Sequence, residues 1–245
     1  NVYGAIVFGI SQIIMSISNG SAAGLGNLIA LNDKDKLNKT VNQFEFIQAG
    51  LTTVLYSVTA IMLIPFIRIY TVDMIDADYI QPIFGYILIL AEAIYCLRCI
   101  YSTVSTSANK FKETQLGAIL ECVTNLVVSL VCVTVLKLGL VGVAIGTVAG
   151  SLVRYIFEIV FLSQNVIHRH SGKAIKMLFV SLAISVVSIF FCNLILDYSV
   201  IDTFVNWTLY AILTTIIVGA VSLAIYCFFY KEIIKSLVMR LKGKG

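Results

Sequence analysis

Residues 92–125 read EAIYCLRCIYSTVSTSANKFKETQLGAILECVTN, and this stretch decides how the chain folds. Apolar residues flank a polar patch at 105–115, and each flanking segment is long enough to cross a bilayer. The patch therefore predicts a tight loop between two antiparallel membrane helices.

Arg98 and Glu121 are equally distant from the loop centre near Asn109, about 8–10 Å inside the membrane edge at ~1.5 Å per residue. We expect them to pair or to face a wet cavity, because a charge in lipid costs about 2.5–3.5 kcal/mol.

The composition excludes an ordinary soluble domain. Hydrophobic residues make up 59% of the 245 residues and charged residues only 12%, whereas about a quarter of a soluble domain is charged. The mean hydropathy is +0.97. Because the apolar runs are continuous and do not alternate with period two, they predict an all-α polytopic membrane protein of about seven transmembrane helices. The predicted spans are 3–30, 46–67, 80–104, 116–136, 140–162, 177–196 and 207–230.

Basic residues collect in every second loop and in the tail, whereas the alternate loops carry aspartates. By the positive-inside rule, this pattern places the Lys-rich loops and the C-terminus in the cytoplasm and the N-terminus of the chain outside. Because the basic residues are scattered over short loops, we expect no nucleic-acid partner. Thirteen of the seventeen Lys and Arg residues follow the pattern: Lys34, Lys36, Lys39, Lys110, Lys112, Arg169, Lys173, Lys176, Lys231, Lys235, Arg240, Lys242 and Lys244. The aspartates are Asp73, Asp76, Asp78, Asp197 and Asp202.

The first apolar segment is unusually polar for a spanning helix, since it contains several serines with Gln12, Asn19 and Asn27. Two interpretations stay open. The helix either lines a hydrophilic cavity or forms hydrogen bonds to neighbouring helices.

Small residues recur every four positions in two segments, a spacing that predicts close helix packing. Gly20 and Gly24 show it in the first segment, and Gly142, Gly146 and Gly150 show it in the fifth.

Ionisable residues concentrate in the third to fifth segments. Glu92 lies mid-segment and is either a proton or cation site or a neutral, hydrogen-bonded carboxyl group. Glu121 and Asn125 are four residues apart and share a helix face. The same spacing predicts that Arg154 and Glu158 pair with each other.

Nothing in the sequence indicates catalysis or a bound cofactor. Cys96-Leu-Arg-Cys99 has C-x-x-C spacing, but its place in a membrane helix favours packing cysteines. His168-Arg-His170 has no neighbouring ligand cluster to complete a metal site. The sequence also contains no Ser–His pair, paired aspartates or H-E-x-x-H motif. We therefore expect no catalytic residue, no metal, no cofactor and no enzyme activity.

Six stretches in residues 1–165 follow one another in a distinctive order: GLGNLIA at 24–30, DKDKL at 33–37, YCLR at 95–98, FKETQ at 111–115, ECVTN at 121–125 and LGLVGVAIGT at 138–147. Together they resemble the second half of bacterial polysaccharide-transport proteins. These form the O-antigen and capsule flippase branch of the multidrug/oligosaccharidyl-lipid/polysaccharide (MOP) exporter superfamily.

The resemblance implies a two-lobe, MATE-like transporter. Residues 1–165 would be a partial C-terminal lobe of five helices, and 166–245 two peripheral helices with a basic cytoplasmic tail. Because the chain starts at Asn1 without a signal peptide, we expect it to lack the first lobe.

Such proteins flip undecaprenyl-diphosphate-linked oligosaccharides across the bacterial cytoplasmic membrane by alternating access. The partners implied are that lipid-linked oligosaccharide, membrane lipids, the missing N-terminal lobe, polysaccharide polymerase and glycosyltransferases.

The resemblance also implies roles for individual residues. Arg98 and Arg154 would bind the diphosphate, because an Arg fork matches phosphate oxygens. The amides Gln12, Asn19, Asn27 and Asn125 would bind sugar hydroxyls. The carboxylates Glu92, Glu121 and Glu158 would couple transport to an ion or pair with the arginines. The chain lacks a proline that some relatives carry shortly after Arg98.

Two alternatives remain. A cation-coupled drug or small-molecule antiporter of the same superfamily shares the expected fold. A seven-helix receptor is more distant, because the last segment has no lysine for retinal and the chain has no Asn-Pro-x-x-Tyr or Asp-Arg-Tyr motif.

Overall fold

In the computed structural model, which describes residues 2–74 and 79–241, seven helical spans are long and apolar enough to cross a membrane. The predicted all-α polytopic membrane fold is thereby confirmed. The first span consists of two helices, and two others end in π-helical turns, at Val131–Val135 and Ser163–Ile167. The helices are α1 (Val2–Gly20), α2 (Ala22–Ala30), α3 (Lys34–Tyr70), α4 (Pro82–Ser107), α5 (Phe111–Leu130), α6 (Gly139–Leu162), α7 (Gly172–Ile195), α8 (Phe204–Phe229) and α9 (Lys231–Leu241).

Because successive spans are antiparallel, their connections fall at two opposite ends of the bundle. We call one the basic end; it comprises the connections 31–33, 108–110 and 168–171 together with α9. The other is the acidic end, with the connections 71–81, 136–138 and 196–203. Four residues of the charge pattern, Asp76, Asp78, Lys242 and Lys244, lie outside the described residues.

Helix α3 starts twelve residues before the predicted second span. The Asp33 side chain caps it by accepting a hydrogen bond from the Lys36 backbone nitrogen at 3.1 Å. Residues 34–45 are too polar for a hydropathy signal, but Leu37 and Val41 are buried one turn apart on one face. This amphipathic extension brings α3 out to the basic end.

The long helix α3 lies at the centre of the bundle and contacts α1, α4, α7 and α8. The Trp207 indole nitrogen donates to the Met62 carbonyl at 3.0 Å. The Tyr226 hydroxyl lies 2.9 Å from Thr53 Oγ1 and 2.8 Å from Ser181 Oγ. These contacts attach α7 and α8 to α3.

Helix α6 packs between α4 and α5, and glycines allow its close approach to α5. A Cβ atom on Gly146 would lie 2.8 Å from the Asn125 carbonyl oxygen, and one on Gly150 would lie 2.8 Å from the Glu121 carbonyl oxygen. A Cβ atom on Gly142 would come within 2.9 Å of Cys132 Cβ. The predicted packing role of these three glycines is confirmed.

Gly20 and Gly24 make no such close helix contact within the described residues. Both are exposed, and an added Cβ would meet no heavy atom within 4 Å outside its own helix. The reason is the rotation of the first span, which turns Ser18 and Leu25 inward against the core.

Candidate functional site

Four ionised side chains form a continuous chain across α4, α6 and α5. Arg98 Nη1 and Arg154 Nε each donate to Glu158 Oε1 at 3.0 Å. Arg154 Nη1 donates to Glu121 Oε2 at 2.7 Å. Two cations therefore balance two anions, and each arginine has a carboxylate partner.

Of the two arrangements expected for Arg98 and Glu121, a direct pair or a shared wet cavity, the direct pair is wrong. Consecutive helices need not be neighbours, and α6 inserts between α4 and α5, so that Arg154 and Glu158 connect the two residues. The predicted pairing of Arg154 with Glu158, one turn apart on α6, is confirmed.

The two ends of this ion-pair chain differ in their access to solvent. The Arg98 and Glu158 side chains are 5% and 2% exposed, whereas Arg154 and Glu121 are 27% and 24% exposed. Ser102 donates to the second Glu158 oxygen at 3.2 Å. The Arg98 guanidinium lies 5.0 Å from the centre of the Tyr95 ring. Arg154 is therefore the more accessible of the two arginines.

Asn125 lies one turn from Glu121 on α5, at the contact with α6. Its side-chain oxygen accepts a hydrogen bond from Ser129 Oγ at 3.0 Å, and its backbone oxygen faces Gly146. This residue therefore borders the ion-pair chain and also belongs to the packing contact.

Glu92 lies apart from the other ionised groups. It is half-buried on α4, interacts with the Ser11 hydroxyl of α1, and forms no ion pair within the described part of the chain. On the same side of α4, the Tyr95 hydroxyl contacts the Met15 sulfur at 3.5 Å. Polar contacts thus continue from α4 to the first span.

The first span has an exposed polar face that runs along α1 and α2. Apart from the adjacent residues Asn19 and Gly20, its successive residues are three or four positions apart, so that they share one side of the helix. The buried side makes the interhelical bonds instead: Ser18 Oγ lies 2.9 Å from Thr103 Oγ1, and Ser107 Oγ donates to the Ala22 carbonyl at 3.2 Å. The exposed polar face consists of Gln12, Ser16, Asn19, Gly20, Gly24 and Asn27.

The amides on this face are available for other partners. Gln12 Nε2 reaches only the Met15 sulfur, at 3.9 Å. The Asn19 and Asn27 side chains form no hydrogen bond to any described residue. The interhelical interpretation therefore fits the buried serines, and the cavity-lining interpretation remains for the amides.

A second buried ion pair, which the sequence analysis missed, ties α3 to the connection after α6. Arg169 Nη1 lies 2.8 Å from Glu45 Oε2, and the two side chains are 1% and 6% exposed. The Tyr101 hydroxyl donates to Glu45 Oε1 at 2.6 Å and accepts from Arg169 Nη2 at 2.5 Å. Burial alone would lower the pKa of Arg169, but Glu45 and Tyr101 raise it above its ordinary value.

Within residues 2–74 and 79–241, no three His, Cys, Asp or Glu side chains converge where they could hold a metal ion. No protein-family model, curated protein or solved structure matches this chain. The ion-pair chain, Glu92 and the exposed polar face are therefore the candidate functional features of the described residues.

Proposed function

We propose that this chain is part of a flippase that moves an oligosaccharide linked to undecaprenyl diphosphate across the bacterial cytoplasmic membrane. The observation that supports this most is the exposed polar face of α1 and α2 within a membrane span. A primary amide in hydrocarbon costs several kcal/mol when it has no hydrogen-bond partner, roughly 4–8 kcal/mol against cyclohexane. Asn19 has none within the described chain and Gln12 reaches only the Met15 sulfur, so that this face must meet water, a substrate or another protein.

The chemistry of this face suits a sugar. Amides offer both donors and acceptors, and hydroxyl-rich head groups need both. In the proposed transporter, the face looks across a central cavity toward the first lobe. The two lobes alternate the opening of this cavity between the two sides of the membrane.

The ion-pair chain suits the diphosphate. Glu121 and Glu158 occupy the positions around Arg154 where phosphate oxygens would bind, since carboxylate and phosphate both accept from an Arg fork. A diphosphate that reaches the partly exposed Arg154 would compete with Glu121. Arg98 lies deeper, so that it would reach the substrate only after α4 and α6 separate.

Orientation follows from the loop charges. In the proposed topology the basic end faces the cytoplasm, where the lipid-linked oligosaccharide is assembled. Glycosyltransferases would then supply the substrate on that side, and a polysaccharide polymerase would consume it on the other. Transport of this kind requires no catalytic residue in this chain.

A triple substitution tests the role of the exposed polar face. Gln12→Leu, Asn19→Leu and Asn27→Leu together remove its amides, and all three sites are exposed, so that packing is preserved. In cells whose surface polysaccharide depends on this protein, we expect export to fail while the protein stays in the membrane. Val186→Leu on the exposed side of α7 is the control and should export normally. Normal export by the triple variant would contradict the proposal.

A cation-coupled antiporter is the second candidate, and Glu92 is the observation in its favour. A half-buried carboxyl group without a cationic partner in a membrane span is a candidate proton or sodium site. If the chain is an antiporter, Glu92→Gln abolishes substrate efflux driven by an imposed pH or sodium gradient and leaves surface polysaccharide unchanged. If it is a flippase, Arg154→Ala abolishes export of surface polysaccharide.

A further inference from the structure

A cavity of about 590 Å³ lies at the basic end, bounded by the last residue of α1, by α2, by the first turns of α3 and by the amphipathic helix α9. Gly20 and Gly24 form one wall, and they leave room because they carry no side chain. On the opposite side, Gln43 Nε2 donates to Ser236 Oγ at 3.1 Å and so connects α3 to α9. We call this space the lysine cavity.

The charged residues that line the lysine cavity are both cations. Lys36 and Lys39 border it, and no carboxylate of residues 2–74 or 79–241 does. Lys36 Nζ lies 2.9 Å from Asp33 Oδ2, but the Lys36 side chain is 74% exposed. A surface ion pair of this kind contributes about 1 kcal/mol or less, so that Lys36 can exchange Asp33 for another anion. Lys39 is exposed and forms no ion pair within the described ranges. Asp35 and Glu232 line a separate hollow of about 250 Å³ beside Lys39. The cavity itself therefore favours an anion.

The rest of the lining is amphipathic. Asn27, Thr40 and Ser236 offer neutral hydrogen-bonding groups, whereas Leu28 and Phe44 offer apolar surface. Such a mixture suits a molecule with a charged, hydroxylated head and an apolar continuation.

The position of the cavity indicates where that molecule comes from. Only Tyr230 separates the end of the spanning helix α8 from the start of α9, so that α9 begins at the membrane edge. Helix α9 carries Lys231 and Lys235 together with Ile233, Ile234 and Leu237, the composition of a helix that lies in a membrane interface. The lysine cavity therefore opens at the depth of lipid head groups.

We propose that the lysine cavity binds the phosphoryl head group of an anionic membrane phospholipid. Lys39 and Lys36 contact the phosphate, the amide and hydroxyl groups contact the glycerol head, and Leu28 and Phe44 contact the start of the acyl chains. Bound lipid holds α9 against α2 and α3. This site is separate from the ion-pair chain, but it shares Gly20, Gly24 and Asn27 with the exposed polar face and forms the end of that face at the basic end of the bundle.

Native mass spectrometry of the chain from nanodiscs tests the proposal, with phosphatidylglycerol compared against phosphatidylcholine. The variant Lys36→Ala/Lys39→Ala should retain phosphatidylglycerol about tenfold less, as expected for lost charge-assisted contacts. The control Lys112→Ala/Lys173→Ala removes two exposed lysines of the same end that do not line the cavity. Equal lipid retention by the two double variants would overturn the proposal.

The variant Gly24→Leu distinguishes binding of the lipid inside the lysine cavity from nonspecific attraction of an anionic lipid to a basic surface. It extends an apolar side chain into the cavity without changing charge, and its Cβ meets no heavy atom within 4 Å outside its own helix. We expect it to lose phosphatidylglycerol as the lysine variant does. Retention equal to the unsubstituted chain would overturn the cavity assignment. Displacement of bound lipid by millimolar inorganic phosphate would likewise overturn the lipid assignment in favour of a free-phosphate site.

Discussion

Arg98 and Glu158 form an ion pair of 3.0 Å between α4 and α6, with side chains only 5% and 2% exposed. Glu158 also accepts from Arg154 and from Ser102, and is therefore the centre of the ion-pair chain. Removing one member of a buried pair leaves the other charge without a partner in a low dielectric. The stability of this region should therefore depend on Glu158 more than on Glu121, the other carboxylate of the ion-pair chain.

We predict that Glu158→Ala lowers the free energy of unfolding by about 3–5 kcal/mol. The matched control is Glu121→Ala, whose carboxylate is 24% exposed and which should cost about 1 kcal/mol or less. Thermal unfolding of the purified chain in detergent measures both. Equal losses in the two variants would show that Glu158 is not the centre of the network.

The Glu45–Arg169 pair gives a parallel prediction at the basic end. Arg169→Ala leaves Glu45 buried without its cation and should cost about 3–5 kcal/mol. Lys173→Ala removes an exposed charge four residues away and should change stability by less than about 0.5 kcal/mol. Unfolding midpoints in detergent distinguish the two. A midpoint for Arg169→Ala that matches that of Lys173→Ala would contradict the buried pairing.

Glycine substitutions distinguish packed from open helix faces. Gly150→Ala places a methyl group 2.8 Å from the Glu121 carbonyl oxygen and must push α5 away from α6. Overpacking of this kind costs about 1–3 kcal/mol. Gly20→Ala meets nothing within 4 Å and should be neutral or stabilising, since alanine favours a helix over glycine by up to about 1 kcal/mol. Thermal unfolding that ranked the two variants in the reverse order would disprove the packing assignment.

The proposed orientation predicts which side of the membrane each end faces. In a chain whose six native cysteines are replaced, Lys36→Cys at the basic end should react with an impermeant thiol reagent only from the cytoplasmic side. Asp202→Cys at the acidic end should react only from outside. Labelling of intact cells and of inverted vesicles distinguishes the two sides. Reaction of Lys36→Cys in intact cells would contradict the proposed orientation.

Sequence patterns predicted the spans well because hydropathy is a property of each segment alone. The tight loop around Asn109 and the close approach at Gly146 followed from local residues in the same way. Both depend on a few neighbouring positions, which a single sequence contains.

Partner choice was harder to predict, because it depends on how helices rotate and which of them become neighbours. Insertion of α6 between α4 and α5 changed the partner of Arg98 from Glu121 to Glu158. Glu45 and Arg169 are 124 residues apart in the sequence, and each resembled an ordinary charge near the end of a span. Only the packed bundle shows that they meet.

The central claim is that the exposed polar face of α1 and α2 borders a hydrophilic space and not lipid. A thiol reacts as its thiolate, which forms in water and not in hydrocarbon. Ser16→Cys on this face and Ile216→Cys on the exposed side of α8 are both near mid-span, and the second provides the lipid-facing reference. The most direct measurement is their rate of reaction with a small water-soluble maleimide in a cysteine-free chain within native membranes. We predict fast modification of Ser16→Cys and almost none of Ile216→Cys; equally slow modification of both would contradict the proposed pathway.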